Sequence, residues 1–110
     1  MLPRVTESLG ASSRLYQQAL NDINRAIQMN PQETLYYAEK ASLCIRVGYY
    51  DEAIESAKES IAINADDSDG YLFLGLAQCL KGNKKEGIPN LQKAQELGNP
   101  QAAGLIQKYQ

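Results

Sequence analysis

The sequence predicts an all-α protein of antiparallel helical hairpins that stack side by side, and two observations support this fold class. First, the chain matches itself without gaps when it is shifted by 34 residues, so that Ala19, Ala53 and Gly87 occupy one equivalent position. Second, the matched apolar residues recur at three- and four-residue steps, as Ala53, Ile54 and Ala57 do. This spacing forms one face of an α-helix and not the alternation of a β-strand.

Small residues and turn glycines divide each repeat into two helices. Ala41 and Gly75 are equivalent on the first helix of their repeats, where a larger side chain would push the paired helix away. Gly48 and Gly82 follow that helix, at a position where a left-handed backbone ends a helix at little cost. Each full repeat is therefore predicted to be a helix, a tight turn and a second helix.

The predicted helices span residues 15–29, 31–47, 50–64, 68–80, 84–97 and 100–108. A short or irregular helix within residues 6–13 either stands alone or continues into the next. Asn30 and Asn99 each precede a proline and are expected to cap the helix that follows, and residues 66–68 offer the same chemistry. Pro89 predicts a kink or a delayed helix start, because proline lacks the N–H group that the helical ladder needs.

The periodic positions resemble those of the tetratricopeptide-repeat family. The second repeat supplies Tyr37, Ala41, Gly48, Tyr50 and Ala53, and the third supplies Tyr71, Leu74, Gly75, Gly82 and Ala94. The first helix departs from the pattern at Pro3, Glu7 and Gly10. The resemblance implies antiparallel hairpins in a right-handed superhelix, within one domain at 1–110. Its parts are a partial or irregular first repeat at 1–31, a second repeat at 32–65, a third at 66–99 and a C-terminal capping helix at 100–110, where Leu105 and Tyr109 should dock on the last repeat.

The same resemblance implies that the first helix of each repeat lines a concave face to which a partner binds. The candidate partner-binding residues are Leu35, Glu39, Ser42, Arg46, Asp69, Leu72, Phe73, Leu76 and Leu80. The members within 68–80 are almost wholly apolar, which exceeds what packing within the repeat requires. Two explanations stay open. Either residues 1–13 or a second copy of the chain covers this stripe, or a peptide or helix of another protein occupies it.

Composition and charge argue against other function classes. The net charge is −2, from 11 basic and 13 acidic residues, which disfavours a pentatricopeptide-like reader of RNA because such a protein needs basic side chains. The chain has no histidine, and Cys44 and Cys79 are expected to be packing residues. The acidic run at residues 66–69 lacks the glycine and terminal glutamate of a calcium loop. We therefore expect no catalytic residue, no metal site and no cofactor.

The predicted function is a non-catalytic protein–protein interaction scaffold that binds a peptide or helix of a partner on its concave face. The alternative is homo-oligomerisation, or a regulatory module of a larger protein. The clamp with which some family members hold the C-terminal carboxylate of chaperones does not carry over, because Glu39 and Asp69 would repel a carboxylate and only Arg4 has suitable chemistry. If Met1 is the true start, the absence of a signal peptide or a long apolar stretch predicts a cytoplasmic protein.

Overall fold

The computed structural model describes the backbone of residues 2–110 and the side chains of residues 14–110, and it is all-helical over that range. The helices are α1 Leu2–Met29, α2 Thr34–Val47, α3 Tyr50–Ile63, α4 Ser68–Leu80, α5 Lys84–Glu96 and α6 Ala102–Tyr109. Each helix packs against the next along the chain, so the predicted all-α class is confirmed. Within the described residues, no helix has both the length and the apolar character needed to cross a bilayer.

Two antiparallel hairpins, α2–α3 and α4–α5, form the centre of the fold and cross closely at small residues. At the α4–α5 crossing, a Cβ atom placed on Gly75 would lie 2.7 Å from the carbonyl oxygen of Gly87, and one placed on Gly87 would lie 2.7 Å from the carbonyl oxygen of Gly75. At the α2–α3 crossing, Ala41 and Ala57 share a buried cluster and are both 0% exposed. The predicted crossing of Gly75 with Gly87 is confirmed, and a larger side chain there would separate the helices. The equivalent crossing of Ala41 with Ala53 stays a prediction, since Ala53 belongs to a different buried cluster.

The turn glycines explain why the first repeat differs from the other two. Gly48 and Gly82 lie in the turns after α2 and α4 with φ angles of 84° and 97°, which is the left-handed region that residues with a Cβ atom rarely adopt. Arg14 occupies the equivalent position of the first repeat. Because arginine does not favour that backbone conformation, α1 continues through it as a single helix of 28 residues.

Two predicted helix caps are wrong. Helix α2 begins at Thr34 and not at Pro31, because residues 30–33 form a turn closed by the Glu33 N–H donating to the Asn30 carbonyl at 3.3 Å. Proline suits the second position of such a turn. Helix α6 likewise begins at Ala102, two residues after Pro100. The side chain of Asn99, the residue before that proline, binds both to the turn itself and to the beginning of α4.

Pro89 does not delay the start of α5. This helix begins at Lys84 and runs through Pro89 to Glu96. Its first turn is fixed by the Asn83 side chain, which accepts a hydrogen bond from the Glu86 N–H at 3.3 Å. Proline removes a single ladder bond, and the burial of Leu91, two residues later, offsets that loss.

Candidate interaction surface

An apolar pocket lies between α4 and the beginning of α6, on the stripe that the sequence marks as unusually apolar. Its volume is about 460 Å³, and it is lined by Leu72, Phe73, Leu76, Pro100, Gln101, Gly104 and Leu105. The wall on the α4 side is apolar, whereas Gln101 adds an amide at the edge. A pocket of this kind can accept a large apolar side chain of a partner.

The apolar candidates on α4 occupy three different environments. Phe73 and Leu76 are half-buried and line the pocket, and Leu80 is 36% exposed at the end of the helix. Leu72 is only 1% exposed and packs in the core with Leu91, so its prediction as a surplus apolar residue is wrong. The reason is that α6 packs over this part of α4, so that Leu72 is enclosed between α5 and α6.

Helix α6 covers part of the apolar stripe, for which residues 1–13 or a second copy of the chain were the predicted cover. Ala102 is 0% exposed in the cluster that contains Leu72, and Leu105, Ile106 and Tyr109 pack against the same cluster. The predicted docking of Leu105 and Tyr109 is confirmed. The side chains of residues 1–13 lie outside the described part of the chain, so their alternative role stays a prediction.

The candidates on α2 do not join this pocket. Leu35 is 56% exposed, Glu39 and Arg46 are also exposed, and Ser42 is half-buried. Among the described residues, the pocket takes its lining from α4, α6 and the turn before α6. The α2 candidates therefore lie outside the pocket, Leu35 as an exposed leucine and the other three as polar or charged residues.

Asn99 fixes the segment that forms one wall of the pocket, and sequence reasoning missed this role. Its amide donates hydrogen bonds to the Asp69 carboxylate at 2.9 Å and to the Ser68 hydroxyl at 3.3 Å, and its side-chain oxygen accepts from the Gln101 N–H at 3.0 Å. Asn99 is 7% exposed. Asp69 is thus an exposed residue whose carboxylate is already bound on one side, which reduces its availability to a partner.

A second, smaller and more polar pocket lies at the other end of α4. Its volume is about 250 Å³, and its lining consists of Ile54, Lys58, Gln78, Lys81, Gly82, Asn83 and Glu86. Its polar groups bind one another: the Gln78 amide donates to Glu86 at 3.3 Å, and the Asn90 amide donates to Gln78 at 2.7 Å. Lys81 also pairs with Asp51. Because these polar groups bind one another, we interpret the second pocket as a packing contact between α3, α4 and α5 and not as a ligand site.

The two cysteines are buried packing residues. Cys44 is 0% exposed and packs with Ala53 and Ala77, and burial, with a smaller contribution from the nearby Glu52, raises its pKa to about 11. Burial also raises the pKa of Cys79. Both thiols therefore stay protonated at neutral pH, which makes them poor nucleophiles.

Comparison with known proteins identifies the repeat. The family model described as tetratricopeptide repeat matches residues 35–67, which span α2, α3 and the turn to α4. The chain thus contains a tetratricopeptide repeat at these residues. It is 27% identical over 93 residues to the TPR repeat-containing thioredoxin TDX of Arabidopsis thaliana, covering 84% of this chain and 24% of that protein. It is also 27% identical to the small glutamine-rich tetratricopeptide repeat-containing protein 2 of Saccharomyces cerevisiae, covering 84% of this chain and 27% of that protein.

Solved tetratricopeptide-repeat domains share the fold. The first such domain of Spaghetti (RPAP3), bound to the HSP90 peptide SRMEEVD, superposes with a TM-score of 0.81 at 18% identity, covering 94% of this chain and 85% of that one. The Arabidopsis OM64 domain gives 0.80 at 20% identity, covering 89% and 82%. At such identities the likeness concerns the fold. The chain spans about a quarter of the length of the curated relatives it matches.

Proposed function

We propose that this tetratricopeptide-repeat chain is a non-catalytic interaction module that binds a peptide or helix of a partner protein on the face formed by α2, α4 and α6. The observation that carries the proposal is the apolar pocket of about 460 Å³ beside Phe73 and Leu76. Half-buried leucine and phenylalanine side chains around an open pocket provide an anchor site for an apolar partner residue. The cytoplasmic location predicted from the sequence belongs to the same proposal.

The charges on this face limit the kind of partner. Glu39 and Asp69 are exposed acids, and Arg46 is an exposed base. Similar domains were solved with the peptides SRMEEVD and SGPTIEEVD, which supports a peptide as the class of ligand. Acidic C-terminal peptides of that kind are disfavoured here, because Glu39 and Asp69 would repel them. We favour a neutral or basic segment with one large apolar residue, oriented by Glu39 and Arg46.

The buried thiols favour an interaction role over a redox role. One relative is named a thioredoxin, but the match covers 24% of that protein. A redox cysteine needs an accessible thiol with a lowered pKa, whereas Cys44 and Cys79 are buried with raised pKa values. Homo-oligomerisation through the same pocket is the rival use of the site, and light scattering distinguishes it from a monomer that binds peptide.

Selection from a phage-displayed library of random 12-residue peptides tests the proposal. Peptides that bind the wild-type chain are counter-screened against Gly104→Leu, which places a side chain into the pocket from a position where an added Cβ meets nothing within 4 Å. We expect apolar-anchored peptides whose affinity falls about tenfold or more in this variant. The matched control is Tyr49→Glu, which alters a 46% exposed aromatic outside the pocket. Equal binding to Gly104→Leu would reject the site.

A further inference from the structure

In the two complete hairpins, α2–α3 and α4–α5, one side of the second helix is buried against the first helix. On α3, Ala53 and Ser60 are 0% exposed and Ser56 is 5% exposed. The equivalent residues of α5 include Gly87, which is buried, and Ala94, which is 0% exposed. In each case the first helix of the hairpin covers this side, as the α4–α5 contact at Gly87 shows. These positions therefore mark a surface shaped for an antiparallel helix.

The same positions of α1 are accessible. We define the α1 strip as Leu15, Ala19, Asp22, Ala26 and Met29. Its two alanines are only half-buried, and Asp22, the equivalent of a buried serine on α3, is exposed. The end residues, Leu15 and Met29, are 69% and 83% exposed, which is unusual for large apolar side chains. These side chains are accessible because α1 continues through Arg14 as one helix. The residues before Arg14 therefore form no separate helix that could pack against this side of α1.

We infer that the α1 strip is a second docking surface, distinct from the pocket between α4 and α6. Its occupant is an antiparallel helix of another protein, with alanine or glycine where it crosses Ala19 and lysine or arginine opposite Asp22. The crossing residue follows from the α4–α5 hairpin, where Gly75 lies against Gly87, the equivalent of Ala19. Ala41 is the equivalent of Gly75 on α2. The basic residue is fixed by Asp22, because a carboxylate that docking removes from water needs a partner charge.

A second copy of this chain fits the strip poorly. Leu15 and Met29 lie seven residues on either side of Asp22, so two antiparallel α1 helices would place the two Asp22 carboxylates together at the symmetry axis. The segment before Arg14 is also unsuitable in sequence register, since Glu7 is the equivalent of Ala41 and Gly75. A carboxylate at that crossing would approach Asp22, and like charges at close range are unfavourable. A heterologous helix avoids both conflicts.

The α2 sequence provides a defined probe for this surface. A helix-stapled peptide of residues 33–48 with the change Ala38→Lys carries Ala41 for the crossing and a lysine three residues before it. An antiparallel helix that crosses Ala19 at Ala41 places this lysine opposite Asp22, three residues after Ala19. Titration of this peptide into the ¹⁵N-labelled full chain is followed by NMR. We expect shifts in the amides of residues 19–26, and an affinity that falls about tenfold in Ala26→Glu and in Met29→Glu. Met29 is 83% exposed, so that variant does not depend on altered packing.

Reversing the charge of the peptide base or of Asp22 tests whether the two residues form a pair. We expect the same peptide with Ala38→Glu to bind the wild-type chain more weakly and the Asp22→Lys chain more tightly. Gln17→Glu, an exposed change on another side of α1, should leave binding unchanged. Three outcomes overturn the inference. They are an absence of binding, shifts confined to the pocket around Leu76 or to α3, and a dimer in light scattering that Ala26→Glu dissociates, which would make a second copy the occupant.

Discussion

The first and third repeats of this molecule share the apolar pattern of their second helix but form different structures. In the third repeat Gly82 allows the chain to reverse, and α4 folds onto α5 with Gly75 against Gly87. In the first repeat Arg14 stands at the turn position, and one helix continues where a hairpin would form. The comparison teaches that the repeat depends on a residue that can take a left-handed backbone at its turn as much as on its apolar face.

The largest expected effect tests the close crossing of the third repeat. Gly75→Leu should lower the free energy of unfolding by about 3 kcal/mol or more, because even a Cβ atom there would lie 2.7 Å from a backbone oxygen. Urea denaturation followed by circular dichroism measures the change. Gly104→Ala is the matched control, since its added Cβ meets nothing within 4 Å. It should stabilise α6 by about 0.5–1 kcal/mol. Similar stability of wild type and Gly75→Leu would contradict the described crossing.

The next effect concerns the buried cluster around Cys44, to which α1, α2, α3 and α4 all contribute. The thiol of Cys44 has a pKa of about 11 in the folded chain, against an ordinary value of 9.0. The unfolded thiol loses its proton above pH 9, so stability is full below that pH and falls by about 1.4 kcal/mol per pH unit until the folded thiol titrates. Chemical denaturation between pH 8 and 11 measures this loss. Cys44→Ala should remove that part of the decline; the same decline in both proteins would refute the assignment.

A smaller effect concerns the wall of the pocket between α4 and α6. Asn99→Ala should cost about 1–2 kcal/mol, because it removes the hydrogen bonds that tie the turn before α6 to Asp69 and Ser68. Hydrogen exchange should show faster opening of α6 while α2 and α3 keep their protection. Equal protection of α6 in both proteins would show that the apolar contacts of Leu105 and Tyr109 alone hold this helix.

The smallest expected effect restores the turn residue of the first repeat. Arg14→Gly should lower the stability of α1 by about 1 kcal/mol, because glycine is a poor helix former, while it supplies the turn chemistry of Gly48 and Gly82. The distance between spin labels near the two ends of α1 is measured by pulsed electron paramagnetic resonance. The wild-type distance should be about 40 Å, as expected for 28 helical residues. A shorter population should appear in Arg14→Gly, and its absence would show that the turn residue alone does not separate the two repeats.

The sequence predicts the parts of the fold that repeat. The small residues at the crossings and Gly48 and Gly82 in the turns follow from periodicity, because equivalent positions face equivalent packing and backbone demands. Leu72 could not be placed in this way, since its burial depends on how closely α6 approaches α4. Asn99 also escaped, because its side chain binds residues about 30 positions earlier, and a local capping rule does not see such a contact.

The candidate site also has a part that the sequence predicts and a part that depends on long-range packing. Phe73 and Leu76 were predicted from the excess of apolar residues on α4, and the structure places both at the pocket. Gly104 and Gln101 were missed because α6 was considered only as a cap and not as a wall. The partner-binding role of the α2 residues, including Leu35 and Arg46, remains a prediction.

The affinity of a library-selected peptide for wild type and for Gly104→Leu is the most direct measurement of the central claim. Isothermal titration calorimetry should show about a tenfold or greater loss in the variant, with thermal unfolding and the response of Tyr49→Glu unchanged. Full affinity in Gly104→Leu would mean that the peptide binds elsewhere on the chain, and the assignment of the pocket beside Phe73 and Leu76 as the partner site would be wrong.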